Sequence, residues 1–313
     1  MVRFSIIIPN YNGISYLGPC IDSILAQVFQ DYEIILVDNA SQDESVSLIR
    51  NSYPDVILVE NAENRGYAGG CNDGVRIANG DFFLFLNTDT VLSKEFLIRM
   101  SDAIDRYPQY GMYSPKIVCP DGRINSTGIC ISLSGAAWDR GMGEADQGQY
   151  DHSEDILGPC GGAALFKREA FFDAGGFDDD FFLFMEDVDL VIRTQLAGWK
   201  CRYIPEAVVY HHHGGTTGVG SDISIYYGNR NILWYPVKDF PFWLLIFATP
   251  WIIGRTIGVV GYYTLKGKGR IALKAKWDGF FGLLKIIRER YKSIRIERNT
   301  EFVNRIKIWS NFN

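Results

Sequence analysis

Two acidic clusters carry most of the reactive chemistry in this chain. One is Leu86-Asn87-Thr88-Asp89-Thr90; the other, far downstream, is Met185-Glu186-Asp187-Val188-Asp189. Each follows an apolar run, DFFLFL or FFLF, which places the carboxylates where buried elements meet solvent. A site divided in this way can hold a divalent metal and a phosphorylated donor at one cluster, while a carboxylate of the other takes a proton from an acceptor. Taken singly, either cluster would equally suit the ordinary polar end of a strand or helix.

The elements that must position these groups are legible in the first hundred residues. Short β-rich runs, FSIIIP, EIILVD, VILVE and DFFLFL, alternate with stretches of helical length, the βαβα rhythm of a mostly parallel, doubly wound sheet. Ligands bind such sheets beyond the carboxyl ends of the strands. Those ends carry PNYNG (9–13), VDNASQD (37–43), ENAENRGYAGG (60–70) and NTDT (87–90), four polar turns in register along one edge, which reads as a binding rim. After GMYSPKIV the periodicity fades from Cys119 to about Asp155, and this stretch is expected to be a mobile loop or hairpin over the site. Regular structure then resumes with GGAALF, a helix from about Lys167 to Ala174, the FFLF run, a helix from Asp187 to about Gly198, and two short strands, CRYI and AVVYH.

Several residues on this frame invite ligands. Asp38 ends an apolar strand, so its carboxylate either faces a ligand or caps the following turn. Gly66, Gly69 and Gly70 open a helix beside Arg65, offering backbone N–H groups and a cation to phosphate, although a ligand-free tight turn explains the same glycines. In His211-His212-His213 the first and third rings point one way and the second the other, and one of them can join Asp89 around a hard divalent ion.

Together and in this order, SIIIPNYNG, VDNASQD, NRGYAGGCNDG, LNTDT, GGFDDDFFLFMEDVDLVIRTQLAGW and YHHHGGTTG resemble the family 2 glycosyltransferases of the GT-A fold, in particular their rhamnosyltransferase-like members. The resemblance covers about residues 3–235. It implies an inverting displacement that moves a sugar, with rhamnose the leading candidate, from a nucleoside-diphosphate donor to a hydroxyl of a glycan or lipid-linked oligosaccharide in cell-surface polysaccharide synthesis. It further implies that Pro9, Tyr11 and Asn12 line the base pocket and that Asp38 bonds the base. Arg65, Gly66 and Asn72 would lie near the diphosphate or ribose, and Asn87, Thr88 and Asp89 would form the metal motif. His211 would join Asp89 on Mg²⁺ or Mn²⁺, and Asp187, beside Glu186, would be the catalytic base. The chain departs from the family's DxD pattern because Asn87 stands at the first Asp position, so the donor diphosphate must supply the missing oxygens. The helix N-terminus lowers the Asp187 pKa while Glu186 and Asp189 raise it, which leaves the balance open. A nucleotidyltransferase and a non-catalytic sugar-nucleotide or glycan-binding module are the competing readings. The first has no use for the second acidic cluster, and the second predicts donor binding without release of nucleotide.

Composition sets the outer bounds. The chain has 313 residues, 47% of them hydrophobic, and six cysteines without metal-ligand spacing, as expected for reduced thiols in the cytoplasm. MVRFSIIIPN reads directly as a first strand, with no signal peptide. The net charge of −6 hides an asymmetry: from Arg255 onward 14 Lys/Arg face 4 Asp/Glu (+10), and before it 17 face 33 (−16). The acidic body argues against nucleic acid as a partner, and the basic tail suits anionic lipid headgroups. Residues 1–235 are read as the transferase domain and 236–313 as an apolar and basic helical extension. In that extension Arg255 interrupts PFWLLIFATPWIIG and disfavours a simple span. Leu273, Trp277, Phe280, Leu284, Ile287 and Tyr291 recur at helical spacing among Lys274, Lys276, Lys285, Arg288 and Lys292, as in an interfacial helix. The expectation is peripheral membrane contact through 241–292 at the inner face of the cell membrane. Packing against the body or a second subunit, as in a homodimer, is the alternative.

Overall fold

The computed structural model describes residues 2–212, 218, 220–294 and 301–308. Four strands, β1 (Phe4–Asn10), β2 (Tyr32–Asp38), β3 (Ile57–Glu60) and β4 (Phe82–Leu86), alternate with helices α1 (Ile14–Leu25), α2 (Ser45–Ser52) and α3 (Gly66–Ile77). All pair in parallel, β1 between β2 and β4, and β3 outside β2. Their sequences explain the order. Phe4, Ile6, Ile7 and Ile8 of β1 and all five residues of β4 are buried, as a strand covered on both faces requires, whereas β3 exposes Ile57 and Glu60 at the sheet edge.

Beyond β4 the sheet becomes mixed. A short β5 (Thr90–Leu92) leads to α4 (Phe96–Arg106) and β6 (Met112–Val118). The stretch expected as a loop or hairpin contains β7 (Ile124–Ser126), folded back on β6, and the hairpin of β8 (Ile129–Ile131) and β9 (Ala137–Asp139), followed by β10 (Asp155–Ile156). Then come β11 (Ala163–Lys167), α5 (Arg168–Asp173), α6 (Glu186–Leu196) and β12 (Cys201–His211). The sheet runs β10-β12-β6-β11-β4-β1-β2-β3, with β5 on β12 and β7 on β6; β11 lies antiparallel between β4 and β6. CRYI and AVVYH are one strand rather than two, with a register shift between Ile204 and Val208 where Pro205 cannot donate to the ladder. Gly198, at φ 97°, stops α6.

Three long helices follow: α7 (Asp222–Asp239), α8 (Phe242–Leu265) and α9 (Gly269–Ile294). The boundary expected at 235/236 falls inside α7, so the extension does not begin at a break in the fold. The Trp234 indole N–H of α7 donates to the Gly279 carbonyl of α9 (2.8 Å), and Lys285 of α9 reaches Asp180 (2.5 Å) in the body. The apolar run is not interrupted at Arg255 but forms a single 24-residue helix, long and apolar enough to cross a membrane. Little of it is covered: Phe242, Phe247, Ile257 and Leu265 are exposed, as are Leu273, Trp277, Phe280, Phe281 and Leu284 on α9. Tyr291 and Lys292, expected on the same helix, have side chains outside those described, and His213 lies outside the described residues.

Candidate active site

Strand pairing brings Asp89 and His211 together. β5 runs antiparallel to β12 with Thr90 opposite His211, so the turn that ends β4 delivers Asp89 to the histidine. Asp89 Oδ1 lies 3.1 Å from His211 Nε2, and the Asn87 amide approaches the same nitrogen at 3.4 Å. On the far side of the ring, Nδ1 lies 2.7 Å from Asn125 Oδ1 of β7, a contact that holds the ring's orientation. A ring nitrogen and a carboxylate oxygen thus stand side by side, both of them ligand types that a hard divalent ion accepts. Two neighbouring ligands of an octahedral ion at about 2.1 Å stand about 3.0 Å apart, so this pair fits one edge of a Mg²⁺ or Mn²⁺ site. Among the described residues no group of three or more His, Cys, Asp or Glu could hold a metal, so an ion at this edge would need ligands from elsewhere.

The second cluster opens α6. Asp187 accepts the Gly161 N–H at Oδ2 and the Val188 N–H at Oδ1, both at 2.8 Å. Burial raises its pKa above the ordinary carboxylate value, and these backbone bonds oppose the rise. Glu186 is buried, its Oε2 has no hydrogen-bond partner, and burial followed by the Asp187 charge pushes its pKa well up. The balance left open by the sequence is therefore settled by desolvation. Burial pushes both carboxyls up, Glu186 the further, and the N–H groups of Gly161 and Val188 favour the charged form of Asp187.

The link between the clusters is Gly161-Gly162. While Gly161 bonds Asp187, a Cβ placed on Gly162 would stand 3.2 Å from the His211 ring, and the Gly161 carbonyl accepts from the Tyr67 hydroxyl at 2.7 Å. Two further polar residues border this centre and were not picked out by the sequence: Asn125, and Asp139 at the end of β9. Burial, reinforced by the Asp187 charge, raises the Asp139 pKa to about 6, and its Oδ1 has no hydrogen-bond partner. Both arrive on short strands of the aperiodic stretch, and their residue types alone gave no signal.

The rim residues divide. Tyr11 is exposed, Pro9 is half-buried against the approach of Gly70, and Asn12, at φ 54°, braces the Gln42 N–H with its side chain. Thr88 is buried where Gly13 approaches, so the β1–α1 turn closes on the Asp89 turn. Asp38 is 2% exposed and takes the capping alternative, accepting from Asn10 Nδ2 (2.8 Å) and the Ser41 N–H (2.9 Å). The expected phosphate contacts of α3 are committed elsewhere. Arg65 pairs with Asp73 and Asp179, and Asn72 donates to Asp179 and the Phe177 carbonyl. The Gly66 N–H donates to Asn64, and the Tyr67 N–H to the Phe182 carbonyl. In this structure these groups fasten α3 to the turn preceding α6 rather than facing open space.

Residues 5–173, more than half the chain, match the model of glycosyl transferase family 2. The chain belongs to that family. This transferase is 29% identical over 228 residues, 64% of its length and 74% of its relative's, to an N-acetylglucosaminyl-diphospho-decaprenol L-rhamnosyltransferase of Mycobacterium tuberculosis. Its fold matches the mannosyltransferase PcManGT of Pyrobaculum calidifontis, solved with GDP-Man and Mn²⁺, over 94% of this chain and 86% of that one (TM-score 0.55, 18% identity). It also matches GalNAc-T7, solved with UDP, GalNAc and Mn²⁺, over 76% and 49% (TM-score 0.61, 18% identity). The GT-A architecture and the rhamnosyltransferase-like kinship of this family 2 transferase are thereby established. Glu186, Asp187 and His211 lie beyond the matched residues, so their placement rests on the geometry above.

Proposed function

We propose that this glycosyltransferase performs an inverting transfer of a hexose, with rhamnose the leading candidate, from a nucleoside-diphosphate donor to a hydroxyl of a glycan or lipid-linked oligosaccharide. The observation that carries the reading is the convergence at Gly161-Gly162, where the base candidate and the cation edge of Asp89 and His211 meet across two residues without side chains. The nucleotide would lie along the rim of Pro9, Tyr11 and Asn12, with Asp38 holding the shape of that rim. Asp89 and His211 would hold Mg²⁺ or Mn²⁺, whose chemistry is to offset charge on the departing diphosphate. Asp187, hydrogen-bonded to two backbone N–H groups, accepts the acceptor's hydroxyl proton as that oxygen attacks the anomeric carbon. The exposed apolar faces of α8 and α9, with the net positive tail, support peripheral contact at the cytoplasmic side of a membrane, the surface where a lipid-linked acceptor is found.

A panel of sugar nucleotides, each with and without Mg²⁺ or Mn²⁺, tests the reading through the melting temperature, because ligand bound to the folded state raises it with affinity. One donor should stabilise the protein chiefly when metal is present, and nucleoside diphosphate should then be released. Stabilisation without any release across acceptors would make the chain a binding module instead.

A further inference from the structure

The segment that aims Glu186 and Asp187 has an uncommon backbone. Phe182 has φ 62° and ψ −61°, and the Leu183 N–H donates to the Phe181 carbonyl at 2.7 Å, a tight three-residue turn that is rare because it is strained. Phe184 (φ 66°) and Met185 (φ 67°) are left-handed as well. Bulky L-residues avoid this region, and no glycine is present to ease it. Conformations of this kind persist only where the surroundings over-determine them.

Here the constraint comes from α7. Asn231 is fully buried, and its Nδ2 donates to the carbonyls of Phe181 (2.8 Å), Leu183 (2.9 Å) and Phe184 (2.7 Å). Its Oδ1 accepts from Arg230 Nε at 2.8 Å, and the same guanidinium donates to the carbonyls of Asp180 (2.8 Å) and Phe181 (3.0 Å). Phe182 stacks on Tyr227 at 4.9 Å. One amide thus gathers the carbonyls that the contorted turn leaves without strand or helix partners.

We infer that Asn231 is a positioning residue for the transfer reaction: through the main chain of 181–184 it sets the direction in which α6 presents Asp187. The inference rests on the reading of Asp187 as the base. Asn231 and Arg230 bond the main-chain carbonyls of Asp180, Phe181, Leu183 and Phe184, so the effect passes through the backbone.

Asn231→Asp and Asn231→Ala in the full chain test it. The first keeps the shape but turns a carboxylate oxygen toward three carbonyls. Turnover of the stabilising donor should fall about 10²-fold in both variants, as expected of a misplacement near 1 Å, with donor KM within about twofold. Chymotrypsin should cut faster after Phe182 and Phe184, while the melting temperature still reports a cooperative fold. Adding Met185→Gly to Asn231→Ala should restore part of kcat, because glycine holds a positive φ without the amide's help; a general collapse of α7 would not be rescued. If the Asn231 variants do not fold, Arg230→Met, which removes the group orienting the amide, should give the same pattern more weakly. Unchanged kcat and unchanged cleavage overturn the inference, as does a kcat loss without faster cleavage or glycine rescue. Wild-type protein inert toward every donor would instead count against the Asp187 reading, and the cleavage comparison would still decide whether Asn231 holds the turn.

Discussion

Replacing Asp187 with Asn separates chemistry from architecture at the proposed base. The carboxylate accepts one N–H on each oxygen, from Gly161 and from Val188. A carboxamide keeps one of these bonds and turns an NH₂ toward the other donor, a loss of about 1–3 kcal/mol for an unmet buried group. Against that stands the cost of the ionised form. Burial raises the folded pKa of Asp187 above the ordinary carboxylate value. A raised pKa stabilises the fold below the unfolded value, and that contribution is lost as pH rises through the folded value. At pH 8 the wild type bears this penalty and the Asn variant does not, so the two effects oppose each other and unfolding free energies should agree within about 2 kcal/mol. Turnover should drop about 10²–10⁴-fold, equal to about 2.7–5.4 kcal/mol of barrier. Urea unfolding at pH 8, donor affinity by thermal shift, and nucleotide release at saturating donor make the comparison. The wild-type rate should fall on the acid side as Asp187 protonates, at a pH above that of an ordinary carboxylate, and this limb should vanish in the variant. Turnover within threefold of wild type would refute the assignment, and a stability loss above about 5 kcal/mol would show that the side chain is chiefly structural.

Two other perturbations probe the surroundings of the site. Lys238 is 4% exposed and pairs with Asp178 (2.5 Å) and with fully buried Asp189 (2.7 Å) on α6, where Arg193 is the other cation. Lys238→Met should cost about 3–5 kcal/mol in urea unfolding, the penalty for stranding buried charge, and a loss below about 1 kcal/mol would mean that the network relaxes around the gap. Phe280→Glu with Leu284→Glu on the outer face of α9 removes two exposed apolar side chains worth about 1.5–3 kcal/mol each when buried. Co-sedimentation with anionic liposomes should weaken at least about tenfold; wild-type protein that stays in the supernatant, or a variant whose only change is a smaller hydrodynamic size, would assign that face to a second copy of the chain.

The parallel half of the sheet was readable because continuous apolar runs such as FSIII and FFLFL have few alternatives to a doubly covered strand. The meeting of Asp89 with His211 was also within reach, since both end strands at the same edge. Hydrogen-bond partners were not. Asp38, Arg65 and Asn72 carry the right groups for a nucleotide, but whether a carboxylate or guanidinium faces a ligand or a neighbouring turn depends on contacts such as Arg65 with Asp179, which no local pattern encodes. The FFLF run departs most from expectation: it was read as a buried regular element, yet Phe182 and Phe184 within it and Met185 after it have positive φ, in a turn bonded by an amide some fifty positions away. Arg255 broke the hydropathy pattern without breaking the helix, because backbone hydrogen bonds are indifferent to a single charged side chain that finds room beside its neighbours. Asn125 and Asp139 sit where short hairpins place them, and periodicity does not report on strands of three residues.

That α7 runs through position 235 has a practical consequence for anyone preparing this protein. Trimming the greasy C-terminal helices is the usual route to a better-behaved sample, and here a cut at the apparent domain edge would sever α7 and discard Lys238 together with the Lys285 tie from α9 to Asp180. The shortened chain would lose ionic support for α6 and expose the faces of α7 that α9 now covers. Solubility is better sought by replacing outward residues of α8 and α9 one at a time, leaving the chain at full length.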